Sequence, residues 1–347
     1  MKKAIIRISL CMSISALLLA GSLSGQQPPN IQIQYDLRFG GLNVPEEQIF
    51  DVPIDLAVGP EGRIYILDSR DNNIKVFTGE GKYISTLSRE GSGPGELNRP
   101  WTLAFVNGRL HVVDTNNGRV QVFSSEGTIQ RGYKVAADFG VGMAFGPEGL
   151  LYVSTRGLRS PKLIQVYDTQ GQRVQEFGEL EGEPFEFFDF TAIKKDIKNG
   201  RIPAVFKNEV QPAPGRGGTI WAVYRSLPRL VQYSRKGELQ ASLDLDIEEY
   251  DSIYAHFQQE NEKIENEPHR FYPLQYVNDA ASDTQGNLYL LLNAADKMKV
   301  LVFGNDGSLL RSLQGPEDRV SRIDFDSEGR LYALGSESHY IYRFTLD

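Results

Sequence analysis

Residues 60–81 read Pro-Glu-Gly-Arg-Ile-Tyr-Ile-Leu-Asp-Ser-Arg-Asp-Asn-Asn-Ile-Lys-Val-Phe-Thr-Gly-Glu-Gly, and the fold follows from how often that arrangement returns. A glycine turn precedes a short strand carrying an aromatic, a polar turn follows, a second strand ends in another aromatic, and a glycine stands four residues on. Working outward, the first aromatic position is filled by Tyr65, His111, Tyr152, Trp221, Tyr289 and Tyr332. The second is filled by Phe77, Phe123, Tyr167, Tyr233, Phe303 and Phe344, with separations of 12, 12, 15, 12, 14 and 12. Gly81, Gly127, Gly171, Gly237 and Gly307 follow the first five. β-Branched and aromatic residues alternating between such turns signal strands, and glycine suits hairpin turns that need positive φ.

Each copy therefore reads as four antiparallel strands, a to d, and six copies read as the blades of a propeller. The expected fold is all-β: a six-bladed β-propeller with blades at about 51–90, 98–135, 138–178, 200–245, 275–314 and 319–347. The sixth copy stops after strand c. Residues 31–39 (IQIQYDLRF) alternate as a strand without a blade of their own, and are expected to supply the missing fourth strand and close the ring. The alternative, a β-sandwich, does not call for six equivalent copies, and no seventh aromatic–glycine pair occurs in the long gaps.

The remaining composition narrows the class. Of 347 residues, 40% are apolar and 24% charged, an ordinary globular balance. The net charge of −8, without a basic stripe, gives nucleic-acid binding no electrostatic footing. Residues 1–25 have a basic start at Lys2, Lys3 and Arg7, an apolar run from Ile8 to Ala20, and small residues at Gly21, Ser22, Ser24 and Gly25. That order predicts a cleaved secretory signal peptide, a mature single domain from residue 26, and a periplasmic or secreted location. No membrane span is expected after cleavage. Cys11 lies inside the apolar run, which argues against a lipid anchor and leaves the mature chain without cysteine. Disulfides and thiolate chemistry are excluded from it.

At Gly91 to Phe123 the chain reads GSGPGELNRPWTLAFVNGRLHVVDTNNGRVQVF, which resembles an NHL repeat. Leu67 to Phe77 is a looser copy. The whole chain is similar to exported bacterial six-bladed β-propellers of unestablished activity. The resemblance implies fold more firmly than function, since NHL-type propellers include protein- and RNA-binding modules and a few lyases, some holding zinc with histidines. Here the histidines are His111, His256, His269 and His339. His111 occupies the strand-b aromatic position, which reads as packing, and no pair stands at ligand spacing. The glycine run at 91–95 lacks the Lys-Ser/Thr ending of a phosphate loop.

The a–b and c–d turns share one face of a propeller, and the d–a and b–c connections share the other. From each c–d glycine to the next a–b glycine the separations are 27, 22, 47, 49 and 22, so two insertions, 178–200 and 247–273, flank blade four on the second face. Insertions gathered on one face mark a binding face. Residues 248–266 carry Tyr250, Ile253, Tyr254, Phe257 and Ile264 at helical spacing, predicting a surface helix. The Phe185–Phe190 cluster reads as a plug or lid. Equivalent strand-a positions, counted back from the aromatics, are Asp55, Thr102, Gly142, Asp279 and Arg322, with strand a of blade four expected at 202–207. Asp55, Thr102, Asp279 and Arg322 are thus candidate ligand-binding residues, or groups that bond one another and channel water. Arg156, Arg159 and Arg225, in the b–c connections, are candidates for an anionic group. Asp68 and Asp114 read as turn caps.

Two functional classes lead. One is a non-catalytic binding module of the cell envelope that recognises a protein, peptide or glycan on the insertion-bearing face and needs no cofactor. The other is a metal-dependent hydrolase or lyase that uses channel carboxylates with Ca²⁺ or Zn²⁺. A purely structural scaffold subunit is the third reading.

Overall fold

The computed structural model describes residues 7–8, 29–137, 142–294 and 296–346. The chain forms six antiparallel sheets in sequence order around a ring. Blade one comprises Pro53–Val58, Ile64–Asp68, Asn73–Phe77 and Tyr83–Leu87; blade two Pro100–Val106, Arg109–Asp114, Arg119–Phe123 and Ile129–Lys134. Blade three comprises Met143–Phe145, Leu151–Ser154, Ile164–Tyr167 and Arg173–Phe177; blade four Val210–Pro214, Ile220–Tyr224, Arg229–Tyr233 and Leu239–Asp244. Blade five comprises Val277–Ser282, Leu288–Leu292, Lys299–Phe303 and Leu309–Gln314; blade six Val320–Phe325, Leu331–Gly335, Tyr340–Phe344 and the early strand Leu37–Gly40. Residues 138–141, at the head of the expected third blade, lie outside the described residues. So does the expected signal segment apart from Arg7–Ile8, which pairs with the outer strand of blade four.

The repeated aromatics explain the ring. Tyr65, Trp221 and Tyr332 are fully buried, and His111, Tyr152 and Tyr289 nearly so. The strand-b ring leans on strand a of the following blade: Tyr65 stacks on Phe105, His111 meets Phe145 edge-on and Tyr289 meets Phe325. Six apolar clusters among the described residues each fill one seam between neighbouring blades. The turn glycines sit at positive φ, and at Gly171 (φ 80) a Cβ would fall 1.9 Å from the Lys134 carbonyl oxygen, so the preceding blade packs where a side chain cannot stand.

Two expectations need correction. Strand a of blade four is Val210–Pro214, not 202–207; Pro203 starts a short helix, α2 (Ala204–Lys207), in the expected place. That segment is apolar enough for a strand, but Val205 and Phe206 are buried with the insertion helices in the cluster that fills the seam between blades four and five, not within a sheet. The early strand is also divided. Leu37–Gly40 closes blade six as expected, whereas Asn30–Gln32 runs parallel to the outer strand of blade five as its fifth strand. Asp36 fixes the crossing: its carboxylate accepts from Arg343 Nε at 2.6 Å and Thr345 Oγ1 at 2.6 Å.

The insertions fold into a small helical layer over blades four and five. Helix α1 (Phe190–Lys198) is N-capped by Asp189, whose carboxylate accepts from the Ala192 amide at 3.0 Å. Helix α3 (Glu248–Lys263) ends three residues before the predicted limit. It buries Tyr250, Ile253 and Phe257 with Ile193, Ile197 and Phe206 in the cluster that fills the seam between blades four and five. The Phe185–Phe190 segment is a plug in part: Phe185 and Phe188 pack on this layer, and Phe187 is 73% exposed. Lys194 ties the two insertions together, its ammonium donating to the carbonyls of Ile264, Glu267 and Arg270.

Candidate functional site

Strand register places Asp55, Thr102, Gly142, Gln211, Asp279 and Arg322 at one level of the inner strands, each two residues before the partner of a strand-b aromatic. Two residues further lie Ala57, Ala104, Ala144, Ala213, Ala281 and, alone in carrying a charge, Asp324. Sequence reasoning missed Gln211, because blade four was misregistered. It missed Asp324 although the same count, carried one step on, exposes an aspartate where five blades have alanine.

These polar groups mostly serve the seams. Asp55 accepts from Thr102 Oγ1 at 2.5 Å and from the Leu103 amide at 2.9 Å, both on blade two. Asp279 accepts from the Ile323 amide of blade six at 3.0 Å, and Asp324 from the Val58 amide of blade one at 3.1 Å. Three consecutive seams are thus bridged by carboxylates bonded to the next blade's backbone. Arg322 Nε stands 3.7 Å from Asp55. Burial pushes the Asp55 carboxyl up to about 6 against the pull of Arg322, and raises Asp279 likewise. Burial also pushes Asp324 up to about 7, with Asp55 and Asp279 adding repulsion.

Arg225 joins this group from the b–c connection of blade four. It is buried, donates to the carbonyls of Val277 (3.3 Å) and Asn278 (3.1 Å) on blade five, and lies 3.7 Å from Glu209. Its anionic partner is thus a residue of the chain itself. Arg156 and Arg159 stand apart, in the blade-three connection. The Arg156 guanidinium lies 5.2 Å from the Phe188 ring centre, and exposed Arg159 lines a cleft of about 280 Å³ together with Arg173. Asp68 and Asp114 cap turns: Asp68 accepts from the amides of Asp51, Val52, Arg70 and Asp71. His111 is held neutral, burial and the nearby Arg131 and Arg109 lowering it to about 4. Among the described residues, no group of three or more His, Cys, Asp or Glu side chains is placed to hold a metal.

A second, wider concavity was not foreseen in detail. A groove of about 820 Å³ opens on the insertion-bearing face between α3 and the b–c connection of blade five. Tyr272 and Pro273 supply apolar surface over buried Ile253 and Phe257, and Glu248, Asp251, Lys297 and Arg319 are among the charged residues lining it. Asn261 of α3 holds one side in shape, donating to the Phe257 and Tyr272 carbonyls and accepting from the Tyr272 amide. The signal for the groove was the second insertion itself. Its opposite wall comes from Asn293, Ala294, Asp296, Lys297 and Lys299, which carry no pattern in sequence.

The ring of six sheets and the strand-a register decide the family resemblance. This chain is a six-bladed β-propeller with an NHL repeat. Residues 36–100 match a family described as 6-bladed beta-propeller, and residues 97–123 match the NHL repeat. Among curated proteins none matches the chain in sequence. Solved structures share the fold. A protein of Bacteroides fragilis assigned as exported is 11% identical, with 91% of this chain and 98% of that one covered at a TM-score of 0.55. A streptogramin B lyase is 13% identical over 88% of this chain and 96% of its own, at 0.51. The calcium-binding protein regucalcin of Agrobacterium tumefaciens is 8% identical over 91% and 95%, at 0.50. At these identities the likeness is one of fold. No helix among the described residues is long and apolar enough to cross a membrane.

Proposed function

We propose that this propeller is an exported binding module, and that its ligand, a protein, peptide or glycan of the cell envelope, seats on the insertion-bearing face in the groove beside α3. The groove carries the reading. Its volume of about 820 Å³ lies in the range of ligand sites, and it combines apolar surface with a limited set of charged groups. The polar residues at the inner strands support it by contrast, since Asp55, Asp279, Asp324 and Arg225 are spent on joining blades. The hydrolase or lyase reading and the calcium-binding neighbour draw on the shared fold alone, and among the described residues no group of three or more His, Cys, Asp or Glu side chains is placed to hold a metal.

Removing residues 247–273 would be a poor test, because Tyr250, Ile253 and Phe257 belong to the seam core. Point changes in the groove avoid this. The purified chain is screened on peptide and glycan arrays beside Tyr272→Ala. Hits should weaken about tenfold in the variant, the effect of truncating a central aromatic contact. Hits indifferent to Tyr272→Ala, or none on either array, would overturn the assignment.

A further inference from the structure

The groove's charges are sorted by wall. On the α3 side stand Glu248, Glu249 and Asp251; on the blade side stand Lys297, Lys299 and Arg319 with one carboxylate, Asp296. Lys299 and Glu249 already form an ion pair across the gap, both only partly exposed, so the two walls face each other closely enough for opposite charges to meet. Glu248 and Asp251 are exposed and have no ion pair among those in the structure. Arg319 donates to Asn293 at 3.2 Å and stands at 3.9 Å from exposed Glu337. Between the charges, half-buried Tyr272, packed against His256 of α3, and exposed Pro273 offer apolar surface, while Ile253 and Phe257 are buried beneath them.

Resting on the reading that this groove is the ligand site, we infer that its occupant is an extended peptide segment with alternating charge, basic side chains turned to α3 and acidic ones to blade five. Successive side chains of an extended chain point to opposite sides, so one strand can satisfy both walls at once. From Glu248 to Phe257 the helix rises about 14 Å, which accommodates about four to five extended residues at about 3.3 Å each. The favoured pattern is basic–acidic–apolar–acidic–basic, with the central apolar residue on Tyr272 and Pro273. A neutral glycan would offer no opposite charge to Glu248, Asp251 or Lys297, whereas this peptide answers each wall with the opposite sign.

The test uses two acetylated, amidated peptides of one composition, Lys-Glu-Leu-Glu-Lys and Lys-Lys-Leu-Glu-Glu, titrated into the full chain by calorimetry at low salt. The alternating peptide should bind about tenfold more tightly, and weaken about tenfold on raising ionic strength to 0.5 M. Charge reversal at exposed Asp251 (Asp251→Lys) or at half-buried Lys297 (Lys297→Glu) should reduce its affinity about tenfold while the melting temperature stays within about 2 °C of wild type. Equal binding of the two peptides, or indifference to both reversals, overturns the inference. A neutral oligosaccharide that binds and is lost in Tyr272→Ala, with no binding of either peptide, overturns the peptide and leaves the binding-module reading standing. If Tyr272→Ala changes nothing for any ligand, both fall.

Discussion

Blade two and blade four are variations on one repeat, yet their loops spend polar groups in opposite ways. In blade two the b–c turn closes on itself. Asp114 is fully buried, accepts from the Asn98 amide at 2.7 Å and pairs with Arg119 Nε at 2.7 Å, while Arg119 also donates to the carbonyls of Ser92, Gly93 and Glu96. In blade four the equivalent turn reaches outward, Arg225 bonding to blade five, and the flanking connections grow into helices. A loop satisfied locally leaves a closed surface. A loop anchored on its neighbour leaves space beside it, and the groove lies along the insertion that fills part of that space.

The comparison breaks most decisively at Asp114. Asp114→Ala takes the buried carboxylate from half-buried Arg119 and leaves several turn donors without their acceptor, and should cost about 3–5 kcal/mol in urea unfolding. A loss under about 1 kcal/mol would show that the blade-two turn is not held in this way. A smaller effect is expected where the insertions are tied. Lys194→Met removes three ammonium–carbonyl bonds at a partly exposed site and should cost about 1–2 kcal/mol, with amide exchange accelerated in α3 and unchanged in blade two. Uniform acceleration would mean the helical layer and the ring unfold together.

The smallest effect depends on pH. Asp324 has a folded-state pKa raised to about 7. The folded protein therefore holds a proton that the unfolded chain releases at lower pH. The stability this contributes is complete below about 4 and is lost as pH rises through about 7. Asp55 acts in the same sense through about 6. Asp324→Asn keeps an acceptor for the Val58 amide and removes the charge. It should melt about 2 °C or more above wild type at pH 8 and equal to it at pH 5. A variant that melts lower at both pH values would mark the carboxylate as a stabilising anion. Blade two, with Ala104 at that position, offers no such lever.

Much of the ring was legible because its cause is local and repeated. An aromatic that must reach the next blade, and a glycine where that blade comes close, recur at nearly constant spacing, so Tyr65, Trp221 and Gly171 announce themselves. Strand a of blade four was not legible. Residues 202–207 and 210–214 are both short and apolar, and only packing sends the first in with the insertion helices and the second into the sheet. The candidate site was half visible. Asp55, Thr102, Asp279 and Arg322 were found by counting, but their service to the seams depends on which backbone amide stands opposite.

From the sequence alone came the number of blades, the aromatic core positions, the turn glycines, the face bearing the insertions and a helix near 248–266. Periodicity encodes each of these, because a strand or helix repeats its exposure within a few residues. Tertiary structure alone decided that 30–32 and 37–40 join different blades, that three seams are bridged by carboxylates, and that α3 encloses a groove with Asn293, Ala294, Asp296, Lys297 and Lys299. Those outcomes depend on groups far apart in the chain that meet only after the ring has formed, and no local pattern specifies a partner.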